Sequence, residues 1–224
     1  MPVSQPHKSA LRRYYRRLYR HFGPQHWWPA RTRFEVILGA LLTQNTSWAN
    51  VEKALGNLRR EGLLSPGKLL RTPPGRLARL LRPSGYFRQK TRAVRHFLQH
   101  LQRRGGGSLK RMLTRPAEEL RDDLLSLHGI GEETADSILL YAAGRPVFVI
   151  DAYTRRVLSR HGLAPAAASY GELQDVFHHS LPRNSALFNE YHALLVAVGK
   201  RYCHRRQPNC AACPLGPELE AGRA

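Results

Sequence analysis

The chain has 224 residues, enough for one large domain or two small lobes with a substantial core. It carries 36 Lys and Arg against 16 Asp and Glu, a net charge of +20, with 42% hydrophobic residues. This balance predicts a folded protein that meets a polyanion, with nucleic acid the first candidate and an anionic membrane surface the second. No apolar run approaches the length of a bilayer span, so we expect a soluble protein that does not cross a membrane.

The N-terminal segment predicts a basic helix. Leu11, Tyr15, Leu18 and Phe22 recur at helical spacing with arginines between them. An arginine-rich start with no acid before Glu35 also suits a targeting peptide. The apolar spacing favours a helix that docks on the core.

Most of the remaining chain also predicts helices, closed by glycine or proline. They cover residues 34–42, a stretch from the cap at 47 to about 62, and residues 66–70, 75–81, 89–104, 116–125, 151–160, 170–177 and 184–198. The run Pro146-Val-Phe-Val-Ile150 is β-like but too isolated to build a sheet. The predicted fold class is therefore all-α, with short helices joined by tight turns.

A glycine hairpin at Leu127-His-Gly-Ile-Gly131 precedes a further predicted helix, in which Ala135, Ile138, Leu139 and Ala142 recur at helical spacing. Gly129 and Gly131 permit a tight turn with positive φ and leave backbone N–H groups uncovered. Glu132 and Glu133 then fall in the first helical turn, where the macrodipole favours acids. Such a hairpin presents donors to an anion, and a nucleic-acid phosphate is one candidate.

Asp151 stands directly between the β-like run and a helical pattern. It has two interpretations. Aspartate is a common helix N-cap. Alternatively, the apolar run delivers the carboxylate to a partly dry site, where it deprotonates a water or stabilises developing positive charge.

The three cysteines lie close together near the C-terminus, with the spacing Cys203-x6-Cys210-x2-Cys213. This number and spacing argue against a disulfide framework. They favour a metal or cluster site in a reducing compartment.

Taken in order, these motifs resemble the helix-hairpin-helix DNA glycosylases of the endonuclease III superfamily. The resemblance spans roughly residues 30 to 213. It is carried by Leu41-Leu42-Thr43-Gln44, the hairpin at 127–131 with Thr134-Ala135, Val149-Ile150-Asp151 and the three cysteines.

The resemblance implies two helical lobes. One is a six-helix lobe over residues 31–148 that contains the helix-hairpin-helix at about 117–143. The other combines residues 1–30 with 149–224, including a cysteine loop at 203–213.

The resemblance also implies a reaction. In the family, the aspartate that matches Asp151 is the catalytic carboxylate of a base-excision enzyme. Bifunctional members carry a lysine where this chain has Glu133, and a carboxylate cannot form a Schiff base. We therefore expect a monofunctional glycosylase without AP-lyase activity. Glu133 itself is either a first-turn acid or a second carboxylate coupled to Asp151.

The tryptophans bear on the substrate. Trp27, Trp28 and Trp48 resemble the aromatics that stack on the flipped base in the branch containing 3-methyladenine glycosylases. Core packing is the alternative for each, and Trp48 also fits a helix stripe. The preferred substrate is then an alkylated purine. Oxidised or mismatched pyrimidines, as for an endonuclease III-type enzyme, are the alternative.

Further DNA contacts follow from the same resemblance. Gln44 matches an inserted glutamine, and Tyr86 matches a hydrophobic wedge, with loop packing as its alternative. Candidate phosphate contacts are basic residues after the wedge and in the cysteine loop, namely Arg88, Lys90, Arg92, Arg205 and Arg206.

The cysteines match three of four ligands of the family's [4Fe–4S] cluster, but Leu219 stands where the fourth is expected. Three explanations compete: a cluster with another fourth ligand, a lost cluster, or a different metal such as zinc.

The expected partner is double-stranded DNA containing a damaged base, bound by a monomer. The expected location is the cytoplasm, associated with the nucleoid in a prokaryote. The rival class is a non-enzymatic helix-hairpin-helix DNA-binding module in which Asp151 is only a cap.

Overall fold

The computed structural model describes residues 5–221, and all regular structure in that range is helical. This confirms the all-α class. A 3-10 turn lies at Arg82–Ser84, and α9 continues as one wide π-helical turn at Ile138–Ala142. The α-helices are α1 (Gln5–Phe22), α2 (Arg33–Leu42), α3 (Trp48–Arg60), α4 (Pro66–Arg71), α5 (Pro74–Leu81), α6 (Phe87–Gly105), α7 (Leu109–Leu113), α8 (Ala117–Leu125), α9 (Glu132–Ser137), α10 (Ala152–Arg160), α11 (Tyr170–His178), α12 (Ser185–Arg201) and α13 (Gly216–Ala221).

The chain divides into two units. Trp28–Arg145 forms the central unit, and the described residues before Trp28 and after Arg145 form the terminal unit.

The core of the central unit is built around α2. Every residue from Phe34 to Leu42 is buried, as expected for a helix that is apolar on all sides. The one acid among them, Glu35, accepts hydrogen bonds from the Arg31 N–H at 2.6 Å and from Arg59 at 2.9 Å. α2 thus carries the loop of Gln44 on a rigid support.

The terminal unit packs α1 against α12. The Tyr191 hydroxyl, fully buried, donates to the Leu11 carbonyl at 2.8 Å. The buried stripe of α1 is Leu11, Tyr14 and Leu18. The prediction that Tyr15 belongs to this stripe was therefore wrong. Tyr14 turns inward because its hydroxyl bonds His161 Nδ1 at 2.9 Å, whereas Tyr15 stays partly exposed.

Two helices were not predicted, α7 and α13. They have five and six residues, too few to show an apolar period. None of the helices described combines the length and the apolar character that a membrane span requires.

Candidate active site

Asp151 lies at the junction of an extended segment and α10. Phe148, Val149 and Ile150 are all buried, and they belong to no helix or strand in the described chain. Asp151 keeps an extended backbone, with φ −102° and ψ 179°, and α10 starts at the next residue. The apolar run therefore fixes where the carboxylate emerges.

The two oxygens of Asp151 have different surroundings. Oδ1 accepts the Thr154 N–H at 2.7 Å, so Asp151 is indeed the N-cap of α10. Oδ2 lies 3.7 Å from Nε2 of His192, a buried residue on α12. Burial lowers the pKa of His192, with Asp151 acting in the opposite direction. A neutral imidazole therefore lies beside Oδ2. Because the helix cap uses Oδ1, Oδ2 can take part in a reaction.

The extended segment is held by polar side chains of α11. His178 Nε2 accepts the Phe148 N–H at 3.0 Å, and Gln174 donates to the Phe148 carbonyl at 2.7 Å. The Tyr170 hydroxyl accepts the Ile150 N–H at 3.3 Å. These side chains do what a neighbouring strand would otherwise do for the backbone.

The hairpin joins α8 to α9 in the central unit. Leu127 and Ile130 anchor it in the core, while Gly129 and Gly131 are exposed. Gly129 has φ +89°, but Gly131 has φ −98°, so only the first glycine needs the left-handed region. This corrects the expectation that both do. Gly131 is instead the N-cap residue of α9, and it supplies no side-chain cap.

Glu133 lies in the first turn of α9 and is exposed. Its backbone carbonyl accepts the Ser137 hydroxyl at 2.7 Å. A carboxylate thus occupies the position at which the resemblance expects a lysine.

Gln44 reaches the hairpin directly. Its Nε2 donates to the Gly129 carbonyl at 2.9 Å and lies 3.0 Å from Thr134 Oγ1. Since the Gly129 carbonyl can only accept, the amide orientation is determined by this contact. Gln44 therefore connects the loop after α2 to the hairpin.

Tyr86 is the most exposed large hydrophobic side chain in the described range, at 65%. Its backbone is left-handed, with φ +44°, and so is that of Asn45, with φ +52°. Non-glycine residues rarely adopt this region except at turns and functional sites. Both residues line a cavity of about 520 Å³ with Gln44, Arg92 and His128.

Of the basic residues after the wedge, Arg88 and Arg92 are exposed, but Lys90 is buried. Lys90 Nζ donates to the Ser84 carbonyl at 2.5 Å, and burial lowers the pKa of the amine. Lys90 supports the loop that carries Tyr86. This corrects its assignment as a phosphate contact.

The three tryptophans are divided between the two units. In the central unit, Trp28 packs edge-on against Trp48, with ring centroids 5.2 Å apart, and lies 5.1 Å from Tyr141. In the terminal unit, Trp27 lines a groove along α12 with Val196 and Arg201. In the central unit, Trp28, Trp48 and Tyr141 therefore form an aromatic cluster.

The cysteines line one cavity of about 20 Å³, with room for a single water. Leu219, at the expected fourth position, lines it too. Burial raises the pKa of the Cys213 thiol. No three His, Cys, Asp or Glu side chains in the described range are arranged to hold a metal ion. The residues present do not fit a cluster held by four thiolates.

The cysteine turn is fastened to α10 through arginines. Arg160 donates to the His204 and Arg205 carbonyls at 2.7 and 3.0 Å, and Arg156 donates to the Cys203 carbonyl at 2.7 Å. Arg205 and Arg206 remain exposed. The basic loop is thus ordered by protein contacts.

Sequence reasoning missed His192, Tyr141 and the polar residues of α11. Tyr141 lies on the predicted hairpin helix, so its aromatic ring was the available signal. His192 has no motif around it. The α11 residues share a spacing of four, but nothing in the sequence tells which backbone they meet.

The chain is similar in sequence and fold to known proteins. Residues 38–183 match the model of the HhH-GPD superfamily base excision DNA repair protein. The Methanocaldococcus jannaschii protein MJ1434, provisionally described as a DNA repair glycosylase, is 43% identical over 202 residues, covering 90% of this chain and 91% of that protein.

Two solved structures share the fold. H. pylori 3-methyladenine DNA glycosylase, bound to 1,N6-ethenoadenine, has a TM-score of 0.76 and 27% identity, covering 87% of this chain and 97% of that one. An endonuclease III bound non-covalently to DNA has a TM-score of 0.82 and 24% identity, covering 96% of each chain. The chain belongs to the HhH-GPD superfamily of base excision DNA repair proteins.

Proposed function

We propose that this protein is a monofunctional DNA glycosylase that hydrolyses the N-glycosidic bond of a damaged base with the help of Asp151. The observation that carries the proposal is the position of Asp151. A buried segment delivers it, one oxygen caps α10, and the other is left beside a neutral histidine. Membership of a base-excision superfamily supplies the reaction class.

The proposed reaction is attack by water. As the bond between sugar and base breaks, its electron pair leaves with the base, and a positively charged alkylpurine becomes neutral. Positive charge develops on the sugar, and an ionised carboxylate stabilises it. Water then adds at the anomeric carbon and gives its proton to the carboxylate. Asp151 Oδ2 takes this role, because Oδ1 is engaged by Thr154.

The strand is left intact in this scheme. A β-lyase needs an amine that forms a Schiff base with the sugar. Glu133, exposed in the first turn of α9, offers a carboxylate instead. Purified protein should therefore convert a lesion duplex to an abasic duplex that breaks only on later alkali treatment.

An alkylated purine is the proposed substrate. Trp28, Trp48 and Tyr141 offer electron-rich faces, which attract a positively charged ring. Such a purine also leaves easily. The H. pylori 3-methyladenine glycosylase, 27% identical, was solved with ethenoadenine, a modified purine.

A panel of duplexes tests the proposal. It contains one alkylated, oxidised, deaminated or mismatched base each, and the products are free base and strand length before and after alkali. We expect release of the alkylated purine with the strand intact. Faster release of oxidised or mismatched pyrimidines would replace the substrate assignment. Cleavage before alkali would contradict monofunctional action.

The rival is a DNA-binding module without chemistry. It predicts tight DNA binding and no release of any base in the panel. Since Asp151 is an N-cap in either case, only base release separates the two.

A further inference from the structure

We propose that three polar side chains on one face of α11, Tyr170, Gln174 and His178, position the Asp151 carboxylate for base release. The inference rests on the proposed function of Asp151. It assigns these residues a role in the reaction through the backbone that they hold.

The three residues form a regular ladder. They are spaced by four, which places them on one face of a helix. Their partners are successive groups of a single extended segment: the N–H and carbonyl of Phe148, then the N–H of Ile150. The last of these groups belongs to the residue directly before Asp151.

The ring of Phe148 is fixed as firmly as its backbone. It stacks on Phe177, also on α11, with centroids 3.6 Å apart and an interplanar angle of 5°. It meets Phe188 and Tyr191 of α12 edge-on. The segment thus has apolar contacts on its side chain and polar contacts on its main chain, both from α11.

The ladder requires three partly buried polar side chains at positions where apolar side chains would pack more simply. A buried extended segment without a partner strand leaves backbone groups unsatisfied, and side chains must supply their bonds. His178 must also be neutral, because its Nε2 accepts the Phe148 N–H. These hydrogen bonds fix the position and the direction of the backbone directly before Asp151.

Small displacements matter at such a residue. A shift of about 1 Å in a catalytic group can cost roughly 100-fold in rate. Loss of a ladder bond should therefore slow the chemical step, while the DNA contacts of the central unit stay as they are.

Gln174→Leu is the primary test, because leucine keeps most of the volume and removes the bond to the Phe148 carbonyl. Single-turnover base release with excess protein separates the rate constant from the amplitude, which reports the folded, active fraction. We expect the rate constant to fall about 10- to 100-fold, with amplitude and Kd for DNA unchanged.

Asn57→Leu is the matched control. The Asn57 amide donates to the Leu80 carbonyl at 2.9 Å, a bond of the same kind, in the central unit. It should lower the melting temperature and leave the rate constant unchanged. If Gln174→Leu behaves like this control, the ladder is purely structural and the inference is overturned.

Tyr170→Phe covers the case in which Gln174→Leu does not fold, since it removes one hydroxyl only. We expect a fall of roughly fivefold in the rate constant, equivalent to one ordinary hydrogen bond. A wild-type rate constant would overturn the inference. Asp151→Asn is measured in parallel. Persistent base release there would overturn the proposed function itself, whereas inactive Asp151→Asn with a fully active Gln174→Leu overturns only the positioning role.

Discussion

Gly39 makes the position of Trp28 possible. A Cβ built on this α2 residue would lie 3.0 Å from Nε1 and Cζ2 of the Trp28 indole. The indole is in turn packed against Trp48 and Tyr141. A methyl group at 39 must therefore displace the ring at the centre of the proposed base pocket.

Gly39→Ala should destabilise the fold by about 1–3 kcal/mol through overpacking. Base release should slow as well, because Trp28 is displaced. Urea unfolding and single-turnover kinetics measure the two effects. Gly56→Ala in α3 is the control, since the nearest atom to its Cβ is Arg60 Nη1 at 3.8 Å. It should stabilise the protein by up to about 1 kcal/mol. Unaltered base release in Gly39→Ala would argue against Trp28 in the pocket.

Individual residues also show where sequence reasoning stops. Asp151 and Glu133 could be named as candidate site residues because each lies in or next to a short motif with a defined spacing. Lys90 could not be placed, since a lysine beside Arg88 and Arg92 looks like one of a basic group until its carbonyl partner is known. Trp27 and Trp28 are adjacent in sequence, yet Trp27 lines a groove in the terminal unit, whereas Trp28 packs against Trp48 in the central unit.

The hairpin assigns different tasks to its two glycines. Gly129 has φ +89°, and a Cβ there would lie 2.9 Å from the Ala93 Cβ. Gly131 has an ordinary φ and open space around it. The first is needed for the fold, and the second leaves room for an approaching backbone.

Gly129→Ala should therefore lose about 1–3 kcal/mol of stability. Gly131→Ala should unfold like the wild type, within about 0.5 kcal/mol. It should bind DNA more weakly, because its methyl group obstructs the approach of a DNA backbone to the start of α9. Unfolding curves and DNA titrations measure both. Wild-type DNA affinity in Gly131→Ala would remove this glycine from the interface.

The cysteine turn provides a further expectation. Arg156 and Arg160 of α10 hold its backbone, so its order does not depend on a cluster. We expect iron-free protein to release base at the full rate. Iron content and activity measured across anaerobic preparations test this. Activity that rises in proportion to bound iron would contradict it.

At the level of elements, helices with a clear apolar period were predictable, whereas the resemblance to the family came from short motifs in order along the chain. α7 and α13 were too short to show a period. The α11 ladder was not visible either, because its partners lie 20 to 30 residues away and are backbone groups, which carry no sequence signal.

The whole molecule carries a charge of +20, which predicts DNA binding that weakens steeply with salt. Arg88 is exposed, whereas Lys90 is buried on the Ser84 carbonyl. Substitutions of these two residues therefore distinguish an exposed charge that can contact DNA from a buried charge that stabilises the fold.

Arg88→Gln should reduce the slope of log Kd against log salt by about one, the value for one phosphate contact. Lys90→Met removes the same formal charge, but it should leave the slope unchanged and cost about 1–3 kcal/mol, because the Ser84 carbonyl loses its partner. Filter binding at several salt concentrations compares them. A slope change in Lys90→Met equal to that of Arg88→Gln would contradict the buried role.

The most direct measurement of the proposed mechanism is base release by Asp151→Asn under single-turnover conditions. Asparagine is also a good N-cap, so the fold should be preserved. We predict a rate constant lower by at least about 100-fold, with DNA affinity equal or tighter because a negative charge is gone. Base release at the wild-type rate in a folded Asp151→Asn protein would contradict the proposed mechanism.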